Sequence, residues 1–246
     1  MPIDERRQEY LRLMGIQAWV PRKPVPAGAV ENPDCVPAMP NDVHESEGPA
    51  VAPVADAVSA CPLDWEDLET RVAGCTACPL HQGRTRTVFG VGNREAEWMV
   101  IGEAPGEQED LQGEPFVGRA GQLLNEMIRA IGLKREAVYI ANVVKCRPPK
   151  NRDPAPEEAA ACEAYLKGQV ALIKPRIILA VGRIAAQNLL KTATPIGKLR
   201  GQVHAYDRIP LVVTYHPAYL LRSQTEKRRA WEDLKLAMRA FRQQNT

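Results

Sequence analysis

From residue 64 onward, nearly apolar runs alternate with amphipathic stretches. The runs are predicted to be buried strands, and the stretches repeat their apolar residues at helical spacing. The predicted strands are 98–102, 138–144, 177–181 and 211–213, and the predicted helices are 120–131, 155–173, 183–191 and 226–242. Apolar strands that alternate with helices are typical of a parallel sheet covered on both faces. The pattern therefore predicts an α/β fold, a three-layer α/β/α sandwich around a central, mostly parallel four-stranded sheet.

The first 62 residues follow a different pattern. Residues 1–20 are predicted to contain a short amphipathic helix, with apolar positions at Ile3, Tyr10, Leu13, Met14 and Trp19. Residues 21–62 contain nine prolines among 42 residues and few large apolar groups, which predicts a flexible linker. The helix either docks on a protein partner or folds back on residues 63–246, which are predicted to form the folded domain.

Charge is distributed unevenly between these parts. Residues 1–74 hold 6 Lys and Arg against 13 Asp and Glu, whereas residues 75–246 hold 26 against 17. A basic body is compatible with a nucleic-acid partner, although many solvated surfaces have the same balance. No apolar run approaches the roughly 18 residues of a membrane span, and the N-terminus has no signal-peptide pattern. A monomeric cytoplasmic protein without membrane association is expected, with its cysteines reduced.

Four of the six cysteines have the pattern of a metal site. They are Cys75, Cys78, Cys146 and Cys162. Thiolate ligands suit zinc or an iron–sulfur cluster, and structural zinc sites usually use two close pairs. Here only the first pair is close, which favours the cluster, while zinc and four unligated thiols stay open. Cys35 and Cys61 lie in the proline-rich segment and are predicted to be unligated.

Polar residues follow the predicted strands, where α/β folds place their sites. The first strand ends in Gly102, and the loop to residue 110 carries Glu103 and three further carboxylates. These carboxylates would repel a phosphate, but they can orient water or stabilise a positively charged sugar. Asn142 ends the second strand, and its amide offers an acceptor and a donor side by side, which complements the polar edge of uracil. A solvated turn and a cap residue are the alternatives.

An aromatic and an imidazole side chain complete the candidates. His216 follows the last strand, where it could hydrogen-bond a developing anion or serve as a structural histidine. Phe116 is one of only three phenylalanines, and it could stack on a base or belong to the core.

Taken together, these segments resemble the iron–sulfur, family 4 uracil-DNA glycosylases from about residue 64 to residue 242. The segments are the cysteine set, GEAPGEQED, GEPFVGRAGQLL, ANVVKCRPPKNR, AVGRIAAQNLL, LRGQVH and HPAYLLR. The resemblance implies a uracil-DNA glycosylase fold and a repair enzyme that flips uracil out of single- or double-stranded DNA. It also implies a structural [4Fe–4S] cluster on Cys75, Cys78, Cys146 and Cys162.

The resemblance also implies roles for residues of the site. Glu103 would lie by the sugar or the attacking water, and Gly102 would belong to the uracil-binding residues. Phe116 would stack on uracil, and Asn142 would pair with its polar edge. Glu109 would exclude thymine by filling the space beside C5, and His216 would donate to uracil O2. The duplex contacts are implied for Leu220 or Leu221, which would fill the gap, and for Arg222, near a phosphate.

The expected reaction is hydrolysis of the N-glycosidic bond, which gives free uracil and an abasic site. No lysine stands out as a Schiff-base nucleophile, so a monofunctional enzyme without strand cleavage is expected. The related family 1 enzymes carry an aspartate at the position of Ala104, so Glu103 is a candidate general base from its location alone. A non-catalytic, zinc-stabilised nucleic-acid-binding module is the alternative, and it would not need Phe116, Asn142 and His216 to meet in one pocket.

Overall fold

A mixed sheet of six strands forms the centre of the described chain. The structure is a computed structural model, and it describes residues 64–244. In chain order the strands are β1 Val91–Gly92, β2 Trp98–Gly102, β3 Tyr139–Asn142, β4 Ile177–Val181, β5 Val203–Tyr206 and β6 Ile209–Thr214. Across the sheet their order is β1-β3-β2-β4-β6-β5. The predicted helix in residues 1–20 and the linker at 21–62 lie outside the described residues and stay predictions.

The α/β class is confirmed, but the predicted four-stranded sheet is wrong in its strand count. The pairings β3–β2, β2–β4 and β4–β6 are parallel, whereas β1 and β5 pair antiparallel at the two edges. Both edge strands were missed because they carry little hydrophobic signal. Strand β1 has only two residues, and Val203 in β5 is exposed while Tyr206 is buried.

Helices cover both faces of the sheet. The α-helices of the described residues are α1 Trp65–Ala73, α2 Glu107–Gln112, α3 Arg119–Ala130, α4 Pro156–Ile173, α5 Arg183–Leu190, α6 Ile196–Leu199, α7 Pro217–Arg222 and α8 Lys227–Gln243. Short 3-10 helices lie at Pro79–Gln82, Arg135–Ala137, Pro149–Asn151 and Gln224–Glu226. The predicted helices correspond to α3, α4, α5 and α8 within one residue at each end. No helix of the described range is long and apolar enough to cross a membrane.

The two faces of the sheet form two separate apolar clusters. Met99 and Ile101 of β2 point to the cluster that contains residues of α4 and α5. Trp98 and Val100 alternate with them and point to the cluster that contains residues of α3 and α8. Successive side chains of a strand point to opposite faces, so a strand buried on both faces must be apolar throughout.

This topology places the candidate residues at one edge. Because β2, β3, β4 and β6 run parallel, their carboxyl ends lie along the same edge of the sheet. Asn142 ends β3, Glu103 follows β2, and His216 lies two residues after β6. Loops at this edge of an α/β sheet are where ligands bind.

A buried ion pair anchors α8 beside this edge. Arg200 donates from Nε to Asp233 Oδ2 at 2.7 Å and from Nη2 to the Arg229 carbonyl at 2.7 Å. Its guanidinium also lies 4.1 Å from the centre of the Tyr215 ring. The two charged side chains are only 10% and 1% exposed, so each depends on the other for compensation.

Removing Asp233 should therefore destabilise the fold, because Arg200 would keep a buried charge without a partner. We expect Asp233→Ala to lower the free energy of unfolding by about 3 kcal/mol. The matched control is Glu232→Ala on the same helix, which breaks an exposed pair with Lys235 and should cost less than about 1 kcal/mol. Denaturant unfolding measures both changes, and equal losses would contradict the assignment.

Candidate active site

A cleft of about 380 Å³ opens at the carboxyl edge of the parallel strands. Its walls come from the loop after β2, the segment before α3, the end of β3, the loop before α4 and the start of α7. The sequence-predicted residues that line it are Glu103, Glu109, Phe116, Asn142, His216 and Arg222. The structure thus brings together residues that lie up to 119 positions apart in the chain.

Asn142 contributes an unsatisfied polar atom to this cleft. Its side chain is 2% exposed, and its Oδ1 has no hydrogen-bond partner in the described part of the protein. A Cβ built on Gly102 would overlap that oxygen and lie 2.6 Å from Phe116 Cζ. Only glycine leaves room at position 102. An orphaned buried acceptor of this kind indicates a donor that arrives with a ligand.

Phe116 is held in an unusual backbone conformation. Its φ is 56°, in the left-handed region, and its ring is buried. Glu109 fixes the following turn, because Oε1 accepts hydrogen bonds from the Val117 and Gly118 amides at 3.0 and 3.2 Å. The Phe116 ring centre lies 5.6 Å from that of His216, with 31° between the planes. The glutamate thus supports the aromatic wall of the cleft.

His216 is arranged as a neutral donor. Its Nδ1 accepts a hydrogen bond from the Ala218 amide at 3.2 Å, so the proton of the neutral ring lies on Nε2. Burial and, to a smaller extent, the charge of Arg222 lower the pKa of His216 to about 4, while Glu109 opposes the shift. At neutral pH the imidazole therefore presents an N–H without a full charge.

Glu103 lies in an acidic environment that the sequence did not reveal. Burial, together with the charge of Asp153 and a hydrogen bond to it, raises the pKa of Glu103 to about 7. Arg183 opposes the shift, and it forms an ion pair with Asp153. A carboxyl group whose pKa lies near neutrality is suited to general acid–base chemistry.

The loop after β2 is more ordered than an acidic turn. Residues Glu107–Gln112 form α2, which the sequence did not predict. Asp110 at 2% exposure accepts hydrogen bonds from the Thr85 amide at 2.9 and 3.0 Å and from the Arg86 amide at 3.4 Å. This carboxylate is structural, since it ties α2 to the segment that follows Cys78.

Helix α7 requires a correction to the predicted duplex contacts. Leu220 is 1% exposed and belongs to the apolar cluster on the α3 and α8 face, so its side chain is not available to enter DNA. Leu221 is partly exposed, and Arg222 is exposed and lines the cleft. Tyr219, 38% exposed on the same helix, is an outward-facing aromatic residue that the sequence analysis missed.

The four predicted metal ligands line a second cavity. Cys75 and Cys78 come from the segment after α1, Cys146 follows β3, and Cys162 lies in α4. The cysteines are free thiols. Arg84 donates to Cys146 Sγ at 3.1 Å, and the Lys145 amide donates to Cys162 Sγ at 3.3 Å. Burial raises the pKa of Cys162 to about 11.

This donor set fits an iron–sulfur cluster. Four thiols around one cavity match the four cysteine ligands of such a cluster. N–H donors aimed at sulfur are also what bound cluster thiolates accept. The fit is to a cluster of several iron atoms, because within residues 64–244 no three His, Cys, Asp or Glu side chains are grouped to hold a single metal ion.

Comparisons with known proteins identify the family. A sequence model described as the Uracil DNA glycosylase superfamily matches residues 89–235. Three relatives are each named a type-4 uracil-DNA glycosylase. That of Archaeoglobus fulgidus is 48% identical over 164 residues, which cover 63% of this chain and 82% of the relative. That of Thermotoga maritima is 47% identical, over 67% and 86%. That of Pyrobaculum aerophilum is 42% identical, over 70% and 92%.

The chain belongs to the type-4 uracil-DNA glycosylase family. The segment matched by the superfamily model contains every residue described above as lining the cleft. It also contains two of the four cysteines, Cys146 and Cys162, whereas Cys75 and Cys78 precede it. The family resemblance inferred from the sequence is therefore confirmed.

Two polar residues of importance had no recognisable signal in the sequence. Asp153 lies in a polar loop, 50 positions from its partner Glu103, so no local spacing links them. Lys145 lies between Asn142 and Cys146 and reads as part of a basic surface, but it is 1% exposed. Pairings of this kind depend on which loops meet in space.

The neutral state of His216 predicts a specific titration. We expect ¹⁵N NMR of labelled histidine to show Nε2 protonated and Nδ1 unprotonated, with a midpoint near pH 4. Since the unfolded ring titrates near 6.5, the folded protein binds fewer protons between these values, and stability should fall as pH falls from 6.5 towards 4. Arg222→Gln removes a repelling charge and should raise the midpoint. A wild-type midpoint near 6.5 would contradict this arrangement.

Proposed function

We propose that this protein is a uracil-DNA glycosylase that hydrolyses the N-glycosidic bond of uracil in DNA. The products are free uracil and a DNA strand with an abasic site. The observation that most supports this function is the cleft, in which a buried, unpartnered Asn142 oxygen lies beside Phe116 and His216. The relatives named as type-4 uracil-DNA glycosylases support the same function. A zinc-stabilised binding module would not need this convergence.

Base recognition follows from the atoms that the cleft leaves free. In our proposal, Asn142 Oδ1 accepts from uracil N3–H, and the side-chain amide nitrogen donates to O4. Cytosine has no N3–H and carries an amino group in place of O4, so it mismatches both positions. Phe116 offers an aromatic face for stacking. Glu109 supports this wall and, in our proposal, occupies the space in which the methyl group of thymine would lie.

Bond cleavage separates charge, and the cleft matches that separation. The breaking bond leaves positive charge on the deoxyribose and negative charge on the uracil. His216 donates a hydrogen bond from Nε2 to uracil O2. A neutral imidazole stabilises the uracil anion through this hydrogen bond, without carrying a full positive charge itself. Glu103 in its ionised form stabilises the sugar cation and orients the attacking water. The reaction ends at the abasic site, because no lysine is proposed as a covalent nucleophile.

DNA contacts are assigned to the exposed part of α7. Arg222 is proposed to pair with a phosphate near the flipped nucleotide, and Leu221 to fill the space that the uracil leaves in a duplex. Leu220 is not proposed again, since it is buried. In single-stranded DNA no gap needs filling, so only the phosphate contact would apply.

We propose that Cys75, Cys78, Cys146 and Cys162 hold a [4Fe–4S] cluster with a structural role. The cluster, when bound, joins three segments of the chain and supplies no step of the reaction. Cys146 lies four residues beyond Asn142, so ligation fixes the loop that follows the base-reading residue. Residues of the chain itself then carry all the chemistry.

The function is tested by uracil release from a U·G duplex. We expect Asn142→Ala to reduce the single-turnover rate by roughly a hundredfold or more, because the bond-breaking state loses its partner at the uracil edge. Asn188→Ala is the matched control, since its amide donates to the Ile184 carbonyl within α5. A wild-type protein that releases no uracil would sink the proposal.

The raised pKa of Glu103 predicts a pH dependence. The wild-type single-turnover rate should rise as pH increases through about 7, because the carboxylate is the active form. Glu103→Gln should be slower and should lose this rise, while DNA binding changes less. Glu107→Gln, at the exposed start of α2, serves as control. Comparable rates for Glu103→Gln and wild type would remove Glu103 from the mechanism.

The cluster assignment makes a separate prediction. The purified protein should be brown, with broad visible absorbance and bound iron and sulfide. Cys162→Ala should lower the iron content and the melting temperature first, and activity only as a consequence. Cys35→Ala and Cys61→Ala should leave all three unchanged, as their thiols are predicted to be unligated. A colourless protein that contains zinc would contradict the assignment.

A further inference from the structure

Lys145 is a buried cation that no step above uses. Its side chain is 1% exposed, and it lies between the base-reading Asn142 and the thiol of Cys146 in the sequence. The ammonium donates to the main-chain carbonyl of Asn142 at 2.9 Å and to Gln169 Oε1 at 2.6 Å. A buried lysine is costly unless its charge and its donors are satisfied, so its position calls for a specific use.

Gln169 extends this contact into a buried network. It lies on α4 at 0% exposure, and its Nε2 donates to the Phe89 carbonyl at 2.8 Å and to the Tyr139 hydroxyl at 3.2 Å. Tyr139 is the first residue of β3, and Asn142 is the last. Lys145 and Gln169 thus hold both ends of the strand that presents the amide to the cleft.

The same lysine reaches the cysteine site through its main chain. Its amide donates to Cys162 Sγ at 3.3 Å, and Cys162 lies two turns before Gln169 on α4. No carboxylate is among the hydrogen-bond partners of its ammonium in the described residues. A site of four thiolates around an iron–sulfur core is net negative and would compensate this cation.

We propose that Lys145 is a positioning residue that couples the four-cysteine site to base recognition by Asn142. Its ammonium fixes the carbonyl, and thereby the backbone, of the residue that reads uracil. Its charge is balanced by the ligated cysteines. This inference rests on the proposed function, and it adds that the structural cluster acts on the uracil edge through one side chain.

The test compares Lys145→Met with Lys174→Met. Methionine keeps the length of the side chain but removes its charge and donors, and Lys174 is an exposed lysine at the far end of α4. Measurements are iron and sulfide content, the reduction potential of the cluster, DNA affinity, and the maximal single-turnover rate on a U·G duplex. Inhibition of uracil release by free uracil gives the affinity of the base pocket for uracil, separately from the rate of bond cleavage.

We expect Lys145→Met to retain the cluster and DNA affinity. Its maximal rate and its affinity for free uracil should each fall by about tenfold to a hundredfold, as for other supporting contacts. The reduction potential should become more negative, because a positive charge beside the cluster is lost. Lys174→Met should match the wild type in all four measurements and in uracil inhibition.

A double-mutant cycle separates positioning from general damage. In an Asn142→Ala background, Lys145→Met should cost less than about threefold further in rate, because it acts through the missing amide. Gln169→Met removes one acceptor of the ammonium and should show the same coupling at smaller size. It decides the question by the same criteria if Lys145→Met does not fold.

The outcomes distinguish this inference from the proposed function. If the wild type releases uracil, and Lys145→Met and Gln169→Met equal it in rate and in affinity for uracil, the positioning role is wrong and the function stands. Fully additive losses in the Asn142→Ala background also overturn the positioning role. If the wild type releases no uracil, both proposals fail together.

Discussion

A buried amide oxygen without a hydrogen-bond partner is the constraint on which the site depends. Leaving such an atom unsatisfied costs about 1–3 kcal/mol, so the fold must hold Asn142 in place by other contacts. Gly102 leaves room for the side-chain amide of Asn142, and the Lys145 ammonium binds the main-chain carbonyl of Asn142. We propose that a ligand N–H recovers this cost, which would give the cleft a preference for a base with a donor at that edge.

The remaining features follow from where the parallel strands end. Their shared edge brings the carboxylates after β2, the amide of β3 and the imidazole after β6 around one cleft. Burial then acts in opposite directions on two titratable groups. It lowers the pKa of His216 and raises that of Glu103, so a neutral donor and a titrating acid stand in the same site. That pairing suits a reaction that separates charge between base and sugar.

Much of the fold could be predicted because its central strands are apolar on both faces and its long helices are strongly periodic. The edge strands could not, since Val91–Gly92 and Val203–Tyr206 are short and carry exposed positions. Asn142 and His216 could be found from their places after strands. The choice between Leu220 and Leu221 stayed open in the sequence, because the motif does not show which side of α7 faces the core, where Leu220 packs. The contact between Glu103 and Asp153 depends on two loops meeting, which no spacing encodes.

In the proposed complex, Asn142 Oδ1 accepts a hydrogen bond from N3–H of the bound uracil. Inhibition of uracil release by free uracil and by 3-methyluracil tests it directly, because the methyl group removes that single donor. We expect uracil to inhibit the wild type and 3-methyluracil to inhibit it at least about tenfold more weakly. In Asn142→Ala the two compounds should inhibit equally. Equal inhibition of the wild type by both compounds would contradict the account.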